Sequence, residues 1–139
     1  MTTATKILLG LGALGLPAVL LAATGRKSVN TEILIPASPE AVWAVLSDPA
    51  GFSTWNPVIV EVDGAYREGE RVTSRVVMDG EPTTMNSRVV RVEPNRLLNQ
   101  RGGPFGVLTF DHTWELTPVE GGTRVTQHEV YRGIGVWFW

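Results

Sequence analysis

The chain contains no cysteine, only two histidines, and no lysine after Lys27. The first absence removes disulfides, thiol nucleophiles and thiolate metal sites, and with them most redox chemistry. The two histidines, His112 and His128, fall on opposite faces of neighbouring strand patterns with no third clustered ligand, a poor basis for a zinc or iron site. No metal and no cofactor are expected. From Ser28 onward nine arginines stand against 14 acidic residues, a formal charge of −5, so nucleic acid is not an expected partner. Those arginines, at Arg67, Arg71, Arg75, Arg88, Arg91, Arg96, Arg101, Arg124 and Arg132, are scattered and read as a solvated face. There is also no glycine-rich phosphate loop ahead of a helix.

What is present is an ordered composition, 43 % apolar and 19 % charged over 139 residues, enough for one core and an appendage. The appendage is Ile7 to Gly25, which carries no charge and one polar side chain, Thr24. At ~1.5 Å per residue it covers roughly 28 Å, close to the hydrocarbon thickness of a bilayer. Lys6 on one side and Arg26-Lys27 on the other bracket it with cations. Its four glycines and Pro17 weaken a helix in water, whereas lipid tolerates them. Residues 1–27 are therefore read as a single-pass N-terminal membrane anchor and residues 28–139 as one domain, with a slight preference for the cytoplasmic side. The alternative is a signal segment cleaved near Leu21-Ala-Ala-Thr-Gly25, which would export the domain.

The domain opens with a β-prone run, Glu32 to Ile35, that stops at Pro36. Ser38-Pro39 and Asp48-Pro49 each place a capping side chain before a proline and so mark two helix starts. Between them Val42, Trp43, Val45 and Leu46 share a helical face. Beyond Pro57 the sequence alternates strands with turn signals: Val58 to Val62, Glu70 to Met78, Thr83 to Glu93, Leu97 to Arg101, Val107 to Thr117 and Thr123 to Arg132. Short loops between consecutive strands imply an antiparallel meander and leave no parallel βαβ unit.

Alternation then sorts the last two strands. Leu108, Phe110, His112, Trp114 and Leu116 share an inward face, joined by Val125, Gln127, Glu129 and Tyr131 from the next strand. Arg124, Thr126, His128 and Arg132 point outward, with Val130 a lone apolar exception. This inward face is too polar for a plain core, since a buried polar group left unpaired costs about 1–3 kcal/mol. A reversal centred on Glu120-Gly121 sets His112 opposite Glu129; a two-residue slip sets it opposite Tyr131.

Ile35-Pro-Ala-Ser-Pro-Glu-Ala-Val-Trp43, Leu46-Ser-Asp48, Trp55-Asn-Pro57 and the hairpin Trp114-Glu-Leu-Thr-Pro-Val-Glu-Gly-Gly-Thr-Arg-Val-Thr126 resemble the START-like (Bet v 1-like, SRPBCC) superfamily, in its polyketide cyclase/dehydrase and lipid-transport branch. The resemblance spans roughly residues 29 to 139. It implies an α+β helix-grip fold: a curved antiparallel sheet, two short helices after the first strand, and an apolar cavity under a long C-terminal helix. After Gly133 the sequence carries at most the first residues of such a helix, so it is expected to be missing or truncated and the concave face open.

The expected function is membrane-tethered binding of a hydrophobic small molecule, a lipid or polyketide-like compound. The residues proposed to line the cavity are Trp43, Trp55, Met78, Phe110, His112, Trp114, Gln127, Glu129 and Tyr131. The rival is a cyclase or dehydratase using His112, Glu129 and Tyr131 as acid, base and orienting groups. A third reading makes the open concave face a docking surface, for a helix of another protein or for a second copy of the chain.

Overall fold

The computed structural model describes Leu20 and residues 23–78 and 80–138. Seven strands form one antiparallel sheet: β1 (Arg26–Ile35), β2 (Ile59–Asp63), β3 (Arg71–Met78), β4 (Glu81–Glu93), β5 (Leu97–Gly102), β6 (Thr109–Val119) and β7 (Gly122–Arg132). Their order across the sheet is β1-β7-β6-β5-β4-β3-β2, so every neighbour except the β1-β7 pair is joined by a local connection. The other elements lying wholly within the described residues are the helix α1 (Pro39–Leu46) and 3-10 turns at Phe52–Thr54 and Ile134–Phe138. The arrangement is the curved sheet of a helix-grip fold.

Local chemistry fixes the ends of α1. Ser38 is extended and its Oγ accepts a hydrogen bond from the Ala41 amide at 3.3 Å, while Pro39 occupies the first turn, where no amide donor is needed. Ser38→Ala is expected to lower stability by about 1 kcal/mol, read from the urea midpoint. The second helix start behaves differently. Asp48 Oδ1 accepts from the Ala50 amide at 3.1 Å and closes a short turn, and only the 3-10 turn Phe52–Thr54 follows. Asn56 then takes the Val58 and Ile59 amides, both at 2.9 Å, and sends the chain into β2 before a longer helix can form.

The β6–β7 hairpin turns through Glu120-Gly121, pairing Val119 with Gly122 and therefore His112 with Glu129. Gly121 and Gly122 sit at φ +86° and +147°, backbone that a side chain rarely adopts. Irregularities at Ile59/Glu61 and Val89/Arg91 bend the far half of the sheet.

Two apolar clusters stand on the concave side. Val42, Leu46, Phe52, Leu116 and Val125 join α1 to the β6–β7 end, and Val72, Val89 and Leu98 fill the centre. Trp43, Trp114, Val62 and Tyr66 pack against both. All nine arginines of the sheet region are exposed, as their spacing implies. Val130, which alternation turns outward, is nonetheless buried at 6 % exposure, so the outer face is not uniformly solvated.

β1 begins at Arg26, two residues before the domain start read from the sequence. The proposed anchor lies almost entirely outside the described residues. Among the described residues no helix is long and apolar enough to cross a membrane. The longest helix lying wholly within them is α1, of eight residues.

Candidate ligand-binding site

The register of the sheet stacks the concave residues into rungs that run from one end to the other. The first contains Lys27, Tyr131, Phe110 and Gly102; the second Val29, Glu129, His112 and Gln100; the third Thr31, Gln127, Trp114 and Leu98. Ile33, Val125 and Leu116 follow, and α1 lies across that end. Polar and apolar character therefore change along the strands: the second rung is largely polar and the α1 end apolar.

At the polar rungs Tyr131 donates its hydroxyl proton to Glu129 Oε2 at 2.7 Å, and His112 Nδ1 stands 3.5 Å from Glu129 Oε1. The His112 side chain is only 13 % exposed, and its Nε2 is a buried atom with no hydrogen-bond partner. Burial holds the His112 imidazole below its ordinary value, with the charges of Glu129 and then Asp111 pulling the other way. It is therefore neutral at pH 7, with its proton placed best on Nδ1 toward Glu129 and a lone pair on Nε2. Burial, then the Glu129 hydrogen bond and charge, push the Tyr131 hydroxyl well above the usual phenol range, so it stays a donor.

Beside this line runs a second polar group that alternation did not single out. Ser87 Oγ donates to Gln100 Oε1 at 3.0 Å, and Gln100 shares a hydrogen bond with the Tyr66 hydroxyl. Burial pushes that hydroxyl up to about 12, the Gln100 bond opposing it. Gln100 faces His112 across β5 and β6, so the polar patch spans both neighbours of β6. The available signal was the alternation Leu98, Gln100, Gly102, which needs the β5–β6 register to be meaningful.

An apolar groove of about 660 Å³ opens at the α1 end. Ile33 and Ile35 of β1, Ala41, Val42, Val45 and Leu46 of α1, Val125 of β7, and Trp55 form most of its wall, with Thr31, Ala37, Trp114 and Gln127 toward the polar rungs. Its size suits a small apolar ligand. The His112 and Trp114 rings lie 5.1 Å apart and tilted by 44°, so the groove and the polar line adjoin. A smaller hollow of about 430 Å³ lies between the start of α1 and the β4–β5 turn, lined by Glu40, Arg96 and Glu115 among others, away from the polar line.

Of the residues nominated from sequence, Trp55, Trp114 and Gln127 line the groove. His112, Glu129, Tyr131 and Phe110 stand on the same face in the two rungs beyond it. Trp43 is packed between the two apolar clusters and is absent from the groove wall. The side chain of Met78 lies outside the described residues. The groove residues that sequence did not nominate belong mainly to α1 and β1, whose helical face was visible but whose seat over the sheet was not. Among the described residues no group of three His, Asp or Glu side chains is arranged to hold a metal ion.

A curved antiparallel sheet with an apolar groove and a buried polar line on its concave side defines a START-like ligand-cavity domain. The chain belongs to the polyketide cyclase/dehydrase and lipid transport family, whose description matches residues 26–138. A protein from Rhodobacter sphaeroides has a similar structure at TM-score 0.65 and 23 % identity, with 79 % of this chain and 76 % of that one covered. The Zhui aromatase/cyclase from Streptomyces sp. R1128 is similar at TM-score 0.65 and 20 % identity, over 76 % and 67 % of the two chains. Ara h 8.0201 is similar at TM-score 0.62 and 14 % identity, over 78 % of each. At these identities the likeness establishes the fold. No curated protein matches the sequence.

Proposed function

We propose that this domain binds a hydrophobic small molecule with one polar end, a lipid or polyketide-like compound, and does so tethered to a membrane through residues 7–25. The observation that carries the reading is the adjacency of an apolar groove to a buried, unpartnered His112 Nε2. The apolar part of the ligand takes the wall of Ile33, Val45, Val125 and Trp55, and its polar end donates a hydrogen bond to Nε2. Tethering supports the assignment because apolar ligands concentrate in the bilayer.

The test is titration of the full chain with a dansyl-labelled long-chain alcohol, whose hydroxyl can donate to Nε2, followed by energy transfer from tryptophan. Ile33 and Val45 are 60 % and 53 % exposed, so a charge at either leaves the core intact. Ile33→Glu and Val45→Glu are each expected to weaken binding at least tenfold, because a carboxylate must be desolvated against the ligand. Wild-type affinity in both variants would remove the groove from the reading.

A second reading, a cyclase or dehydratase, is favoured by the Tyr131–Glu129–His112 line itself. Neutral His112 is the base that takes a proton from the carbon beside a ligand carbonyl, and Glu129 steadies the imidazolium that results. Under this reading His112→Ala loses turnover and keeps binding; weakened binding alone supports the carrier.

A further inference from the structure

Phe105 is 98 % exposed, at the tip of the β5–β6 loop between Gly103 and Gly106, and Val107 beside it is 53 % exposed. A lone exposed apolar residue needs no explanation, but this one has a particular neighbourhood. The Gly133 amide donates to the Gly25 carbonyl at 3.0 Å, the Ile134 amide to Gly106 at 3.0 Å, and the Gly135 amide to Val107 at 2.8 Å. The loop therefore sits at the end of the sheet where β1 begins, beside Gly25, the last residue of the uncharged stretch 7–25.

Charge is segregated at the same end. Arg26 and Arg132 are opposite one another across β1 and β7, and Lys27 follows. The nearest acids are engaged: Asp111 with Arg101 at 2.7 Å, and Glu129 with Tyr131. Glu81, at the start of β4, lies in the far half of the sheet, three strand spacings from β7 and four from β1, roughly 14–19 Å away. In a domain of net charge −5 this corner is cationic, bearing an apolar tip.

We propose that Phe105 and Val107 are a second membrane contact, which seats this corner of the domain on an anionic bilayer surface. The inference rests on the tethering reading, which brings the corner within reach of lipid. Aromatic and apolar side chains at the interface, flanked by cations, are what such a surface recognises. The seat also gives the site an orientation. Tyr131 and Phe110, in the first rung, face the lipid end, followed by His112 and then the groove, so a ligand leaving the bilayer passes the polar line on its way in.

The absence of cysteine makes the test direct. Phe105→Cys in the full chain is labelled with the fluorophore NBD, and Glu120→Cys, in the β6–β7 turn at the opposite end, is the control. Both are reconstituted with phosphatidylcholine/phosphatidylglycerol vesicles containing a lipid spin label. The expected result is blue-shifted emission at position 105 with at least twofold more lipid quenching than at 120. Equal, water-like signals from a chain that floats with the vesicles would overturn the seat and leave the tether standing. A blue shift without lipid quenching would put another copy of the chain against the tip and also overturn it. A chain that does not float with vesicles would remove the tether, and the seat with it.

Discussion

Phe52→Ala is expected to destabilise the domain by about 4 kcal/mol, the largest single effect among these substitutions. Phe52 is 2 % exposed and joins Val42 and Leu46 of α1 to Leu116 and Val125 of the sheet. Its ring lies 4.5 Å from Trp55 and 6.1 Å from Tyr66. Truncation leaves a cavity among residues from several elements that cannot all close on it. A domain of this size has a total stability of roughly 5–15 kcal/mol, so the loss takes a large share. At a slope of about 1.5 kcal/mol per M, the urea midpoint falls by roughly 2–3 M. Binding falls too, because Trp55 on the groove wall loses the ring that supports it. A midpoint shift below about 1 M would mean that α1 is seated by other contacts than this cluster.

Much of this architecture is legible in the sequence because turn chemistry is local. Glu120-Gly121 narrows the β6–β7 register to two choices, His112 opposite Glu129 or opposite Tyr131, and the fold adopts the first. Ser38-Pro39 fixes the start of α1. The groove was less legible because it depends on where α1 lies over the sheet. The helical face of Val42 and Leu46 can be read from spacing, but that Ala41 and Val45 border a hollow with Ile33 of β1 is a tertiary fact. Asp48-Pro49 misled for a related reason. The same cap chemistry closes a turn when Asn56 diverts the backbone soon afterwards. Trp43 shows the limit of counting aromatics as cavity wall, since its helical position turns it to the seam between the clusters.

The polar line also predicts how stability follows pH. His112 is held below its ordinary value of 6.5 in the folded protein, so above that pH neither state carries the proton and stability is complete. As pH falls below 6.5 the unfolded chain takes up a proton that the folded domain refuses. Stability then drops, at a slope approaching about 1.4 kcal/mol per pH unit, until the folded pKa is reached. His112→Gln is expected to abolish this slope between about pH 7.5 and 5.5, a window above ordinary carboxylate titration. With two histidines in the chain, the His112 resonance can be followed directly by NMR. Glu129→Gln removes a charge that favours the imidazolium and is expected to move that titration lower still. An upward movement would mean that solvent enters beside His112 once the carboxylate is gone. A bound ligand donating to Nε2 competes with the proton for the same lone pair, so ligand should depress the His112 titration further. Protonation and binding are thus alternatives at one atom, and affinity for the dansyl-labelled alcohol is expected to fall with pH only where His112 titrates.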